Sequence, residues 1–119
     1  MAVPSQPRAS LPKGSDPRVR LGVDVGATLA KLAIAHDGRV DYRLAPAHGI
    51  ERLALEVERL APDRIGLTGG GAGLLTRHLG LDTTAVSEFD AWGTGSRELL
   101  ASQGLATGER HLLVSLGTG

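Results

Sequence analysis

The sequence predicts an α/β fold: a five-stranded mixed sheet with three leading antiparallel strands and flanking helices. Three observations carry that expectation. Short apolar runs open the chain after its first seventeen residues, and two of them are joined by Asp37-Gly38, a dipeptide suited to the turn of a tight hairpin. Residues 50–60 then place apolar side chains at helical spacing. Beyond them, short apolar runs alternate with helical stretches, the pattern of strands joined through helices.

Residues 1–17 hold four of the six prolines, with Ser5, Ser10, Gly14 and Ser15 between them. Such a stretch buries too little to offset its ordering entropy, so a disordered tail is expected there and a single folded lobe over 18–119. Residues 18–25 run apolar and stop at Gly26, the first strand. Residues 29–35 form the second, and 40–44 return after the Asp-Gly turn. In the helix that follows, Ile50, Leu53, Ala54, Val57 and Leu60 share one face, and Pro62 ends it. Residues 64–68 read as a buried strand leading into Gly69-Gly70-Gly71. A short helix over 72–79, a short strand over 83–87 and a helix from about 90 to 102, closed near Gly104, come next. Residues 111–116 read as a last apolar strand.

Thirteen basic residues balance thirteen acidic ones, which argues against a general binder of nucleic acid or anionic membrane. Cysteine is absent, so disulfides and thiolate–metal sites are excluded. The four histidines lack i,i+4 spacing and read as ordinary surface residues. No apolar run is long enough to span a bilayer and no signal segment is evident, so a cytoplasmic protein is expected.

The residues suited to chemistry lie in the loops. Asp24-Val25-Gly26-Ala27-Thr28-Leu29-Ala30-Lys31 surrounds the first hairpin turn. Small residues let the backbone approach phosphate oxygens, Thr28 and Lys31 add donors, and Asp24 at a strand end can hold a magnesium-bound water. The same residues equally suit a plain tight hairpin with Asp24 as turn acceptor. The spacing is not that of a Walker A loop. Thr68-Gly69-Gly70-Gly71-Ala72-Gly73 would expose several N–H groups at a positive helix end, and a mere connector would not need so much glycine. In Ser87-Glu88-Phe89-Asp90-Ala91, Asp90 is expected to cap the helix, leaving Glu88 at the strand's end as a base. Gly117-Thr118-Gly119, after an apolar strand, suits a second phosphate loop.

The element order resembles that of the ribonuclease H-like (actin-like ATPase) lobe, and the loops extend the resemblance to the type II pantothenate kinases. That family carries D-x-G-G-T-L-x-K, T-G-G-x-A, E-F-D-A and G-T/S-G segments in this order. The matching residues are Asp24, Gly26, Thr28, Leu29 and Lys31; Thr68, Gly69, Gly70 and Ala72; the stretch from Glu88 to Ala91; and Gly117, Thr118 and Gly119. The E-F-D-A segment is the specific part, because the phosphate loops recur across sugar kinases and chaperones. The resemblance implies transfer of the ATP γ-phosphoryl group to the primary hydroxyl of pantothenate, opening coenzyme A synthesis. It implies ATP and Mg2+ as cofactors, with Glu88 as catalytic base and Asp24 orienting the magnesium through water. Lys31 would neutralise phosphate charge, and Gly26, Ala27, Thr28, Gly69, Gly70, Gly117, Thr118 and Gly119 would hold the phosphates. The implied partners are ATP and pantothenate, with no nucleic acid, no membrane, and a homodimer for a full-length enzyme.

Two departures stand out. Ala27 replaces the family's second loop glycine, so its methyl group is expected to crowd a phosphate or force a different backbone angle. The sequence stops at Gly119, where the family continues into a second lobe with the adenosine pocket. An N-terminal lobe, inactive in isolation, is therefore expected. The alternatives keep the fold: an N-acetylhexosamine kinase, an ATPase that activates a dehydratase, or a degenerate lobe without turnover.

Overall fold

The computed structural model describes residues 9–10, 17–105, 108, 110 and 112–116. Its strands are β1 (Ala9–Ser10), β2 (Arg20–Val25), β3 (Leu29–His36), β4 (Arg39–Pro46), β5 (Arg64–Thr68) and β6 (Thr84–Ala85). The helices are α1 (Ile50–Arg59), α2 (Ala72–His78) and α3 (Glu88–Ser102). The strands form one mixed sheet in the order β1-β4-β3-β2-β5-β6. The three antiparallel strands, the parallel pair beyond them and the flanking helices are thus as the sequence predicts.

Local chemistry explains each junction. Asp37 and Gly38 both have positive φ, 51° and 72°, as the two-residue turn between twisted strands requires. That turn locks β3 on β4 from Leu29 opposite Pro46 to His36 opposite Arg39. After α1 the chain turns through Ala61, whose φ is 47°, into Pro62. The Asp63 carboxylate then accepts from Val19 N at 2.7 Å. Asp63 N in turn donates to Val19 O at 2.8 Å. This double link aligns the starts of β2 and β5, and the parallel register runs from Arg20 beside Arg64 to Asp24 beside Thr68.

Alternation decides which face of the sheet is buried. Leu21, Val23 and Val25 of β2, Ala30, Leu32 and Ile34 of β3, and Ile65 and Leu67 of β5 point to one side. There they join Ile50, Leu53, Ala54 and Val57 of α1 and Leu75 of α2 in a single core. Val57 and Leu75 are wholly enclosed, so truncating a leucine here should cost about 2–5 kcal/mol. The opposite face carries Gly22 and Asp24, Lys31 and Ala33, Tyr42 and Leu44, and Gly66 and Thr68, which line a groove of about 590 Å³. Of α3, only Ala91 reaches that groove, and no residue of α3 is buried.

Three expectations differ from the structure. Ala9–Ser10, in the expected tail, pairs antiparallel with Val40 and Arg39; the rest of that stretch lies outside the described residues. The last helix starts at Glu88 rather than Asp90, because Ser87 is the cap: its hydroxyl accepts from Asp90 N at 3.1 Å. Residues 112–116 form no strand, and Leu112, Val114 and Leu116 stay exposed. An apolar run becomes a strand only where an edge pairs with it, and the described edge strand next to β5, β6, is two residues long.

Candidate functional site

Parallel strands β2 and β5 deliver their C-terminal ends to the same place, and the sequence-predicted residues gather there. Asp24 is the next-to-last residue of β2, and Lys31 faces it across the β2–β3 ladder as its register partner. The Lys31 Nζ lies 3.4 Å from Asp24 Oδ2, with the lysine side chain 66% exposed and the aspartate 27%. Thr68, at the end of β5, stands beside Asp24 on the same face. These three side chains form the polar end of an otherwise apolar groove walled by Ala33, Tyr42, Leu44, Val86 and Ala91.

The hairpin turn between β2 and β3 is built by its glycine. Gly26 N donates to Leu29 O at 3.0 Å, and a Cβ at Gly26 would sit 2.9 Å from that same oxygen. The Gly26 N–H is therefore committed to the turn, which leaves Ala27 and Thr28 at the exposed tip. Ala27 has no positive φ, so its methyl group imposes no unusual backbone angle. Thr28 O accepts from Ala47 N at 2.9 Å, which ties the tip to the chain after β4.

In the second loop, two glycines have structural causes. Gly69 has a φ of 91°, and a Cβ there would lie 2.5 Å from Val25 O and 2.7 Å from Asp24 Oδ1. Gly71 packs on the Val25 side chain, and its N–H donates to Val25 O at 3.0 Å. The loop is thus drawn down onto the end of β2 and carries Gly69 to the Asp24 carboxylate. Gly70 is exposed, with open space where a Cβ would be.

Glu88 occupies the first turn of α3 and is exposed. It does not line the groove that holds Asp24, Lys31 and Thr68. Asp90 is exposed in the same turn, where a carboxylate complements the helix's positive end. Gly117, Thr118 and Gly119 lie outside the described residues. Among the described residues no group of three or more His, Asp or Glu side chains could hold a metal ion. Nor is any described helix long and apolar enough to cross a membrane. From sequence, Thr68 reads only as the first residue of a glycine loop. Its place beside Asp24 depends on the β2–β5 register, which no local pattern reveals.

No family model matches the chain. A Staphylococcus epidermidis protein is 31% identical over 101 residues, which is 85% of this chain and 38% of that protein. Its Staphylococcus aureus counterpart is 26% identical over the same span. Both are named type II pantothenate kinase. The chain resembles the type II pantothenate kinases. It spans 38% of the length of these curated relatives. Among solved structures, the PPX-GPPA enzyme of Aquifex aeolicus superposes with a TM-score of 0.50 at 11% identity, covering 72% of this chain and 41% of that one. That likeness identifies the fold as the actin-like ATPase lobe, in agreement with the strand order.

Proposed function

We propose that this chain is the nucleotide-binding lobe of a kinase that phosphorylates the primary hydroxyl of pantothenate with ATP, toward coenzyme A. The observation that carries the reading is the Asp24–Lys31 pair, set beside the Gly69 loop at the ends of two parallel strands. Asp24, a carboxylate with no acidic cluster around it among the described residues, fits Mg2+, which keeps several waters and leans on phosphates rather than on a protein cage.

Asp24 would hold the cation through water, and Lys31 would turn from the carboxylate to the phosphates. The exposed tip at Ala27 and Thr28 would flank the phosphates, with Gly69 and Gly70 on the other side. Gly117, Thr118 and Gly119 would add a further loop, an assignment that rests on sequence. Bound Mg·ATP supplies the phosphoryl group. Glu88 would take the proton of the acceptor hydroxyl, and its exposed place at the start of α3 leaves it accessible to a small polar substrate. Positioning and charge stabilisation account for most of the catalysis in such a transfer.

A chimera tests this reading. The matched 101 residues of the S. epidermidis kinase are replaced by those of this chain. Pantothenate-dependent ADP release that disappears in the Glu88→Gln version is the expected result. Release with N-acetylglucosamine alone would instead make the lobe a hexosamine kinase's. A folded chimera that binds Mg·ATP and turns over neither would make it a non-catalytic lobe.

A further inference from the structure

Helix α3 crosses the open face of the sheet from edge to edge. It follows β6, at one edge, across Val86 and Ser87, and it packs against β1, at the other. Its 15 residues measure about 22 Å and the five spacings of six strands about 24 Å, so the helix matches the width of the sheet. Ala91 lines the groove beneath, yet no residue of α3 is buried. The side of α3 that holds Ala91 also carries Glu88, Trp92, Gly95 and Leu99, five residues at i, i+3, i+4, i+7 and i+11. Trp92 remains 39% exposed and Leu99 50%. Gly95 has no positive φ, and a Cβ there would meet nothing within 4 Å. Glycine weakens the helix at that position and serves nothing where the helix now stands. A second position explains it, one in which the backbone at Gly95 comes down on the sheet.

We propose that α3 is a strap that closes onto the groove when the phosphoryl acceptor lies in it, turning an open trough into an enclosed site. The inference rests on the kinase reading above. The link of Val86 and Ser87 is the hinge: Val86 N donates to Leu67 O at 2.8 Å, which fixes the link to β5, and Ser87 caps the helix. Descent about that link takes Trp92 and Leu99 out of water and onto the apolar walls. Glu88 stands two residues after Val86, which already lines the groove beside Thr68. Closure therefore carries the Glu88 carboxylate toward the Asp24–Lys31 end while water is expelled. The acceptor favours the closed state because only there does it touch a roof as well as a floor.

The experiment uses the full chain. Emission of Trp92, the only tryptophan in the sequence, reports the strap. An NMR titration reads the amides of Thr28, Gly69 and Gly70 for ATP, and those of Gly22 and Gly66 for the acceptor. With Mg·ATP and pantothenate together, Trp92 emission is expected to shift to the blue and its quenching by acrylamide to fall. Gly95→Leu places a bulky side chain on the closing side, so it should abolish the Trp92 shift and leave the ATP-induced amide shifts in place. Ala101→Leu, the same side chain on an exposed position away from that side, should respond as the wild type does. Acceptor-induced shifts at Gly22 and Gly66 with unchanged Trp92 emission would overturn the strap and leave the kinase reading intact. An undiminished Trp92 shift in Gly95→Leu would do the same. ATP binding with no response to pantothenate or to N-acetylglucosamine would overturn the strap and leave only nucleotide binding. A Trp92 shift with N-acetylglucosamine alone would keep the strap and remove pantothenate from the reading. No response to ATP at any of these amides would overturn both.

Discussion

Lys31 and Asp24 are register partners across the first hairpin, and the ammonium nitrogen lies 3.4 Å from the carboxylate. Both side chains reach solvent, so their attraction is screened and contributes about 0–1 kcal/mol to folding. A pair that holds so little of the fold together is free to change partners. Lys31→Met should therefore leave the unfolding midpoint in urea nearly unchanged while weakening ATP binding in the NMR titration. A large loss of stability would make the pair a structural element instead.

The two neighbouring glycines of the second loop should respond differently to a methyl group. Gly69→Ala forces a side chain into a φ of 91° and against Val25 O and Asp24, so a loss of about 1–3 kcal/mol or more is expected. Gly70→Ala meets open space and should stay within about 0.5 kcal/mol of the wild type. Denaturant unfolding of both variants checks the contrast.

Ser87 caps α3 through the Asp90 N–H. Ser87→Ala should cost about 1 kcal/mol, and the cost should be local, because no residue of α3 is fully buried. Hydrogen exchange should show faster exchange in the first turn of α3 and unchanged protection in β2, β3 and β5. Ser87→Asp, an equally good cap, should restore it.

In the chimeric kinase, Glu88→Gln preserves size and hydrogen bonding but cannot take a proton. A fall in kcat of about 10²–10⁴-fold is expected, with nucleotide affinity little altered. Near wild-type kcat in this variant would remove Glu88 from the base role. The 119 residues by themselves span 38% of the length of the matched relatives, and they should show no pantothenate-dependent ADP release above their own Glu88→Gln control.

The parts of the fold that were legible in the sequence are those whose pattern is local. Alternation marked β2 and β3, the Asp37-Gly38 turn marked the return, and the spacing from Ile50 to Val57 marked α1. The start of α3 is ambiguous in the sequence because Ser87 and Asp90 are both good caps, and only the hydrogen bond tells which one acts. Residues 112–116 have a strand's composition but no edge to pair with, and pairing is not a local property. Ala9–Ser10 is the opposite case: its pairing uses backbone groups, which any sequence supplies. The same division holds at the site. Asp24 and Lys31 could be read from one loop, whereas Thr68 and Asp24 are more than forty residues apart and meet only through the sheet.

Gly22 and Gly66 lie side by side in mid-sheet on the floor of the groove. Neither has a positive φ, and a Cβ would meet nothing within 4 Å at Gly22 and only the end of Val86, at 3.8 Å, at Gly66. The backbone therefore has no need of glycine at either position. For an engineer these are two adjustable stops. Alanine at one, then at both, would raise the floor by a methyl group at a time without touching Asp24, Lys31 or Thr68, and the largest compound still admitted after each step would gauge what the groove is sized to receive.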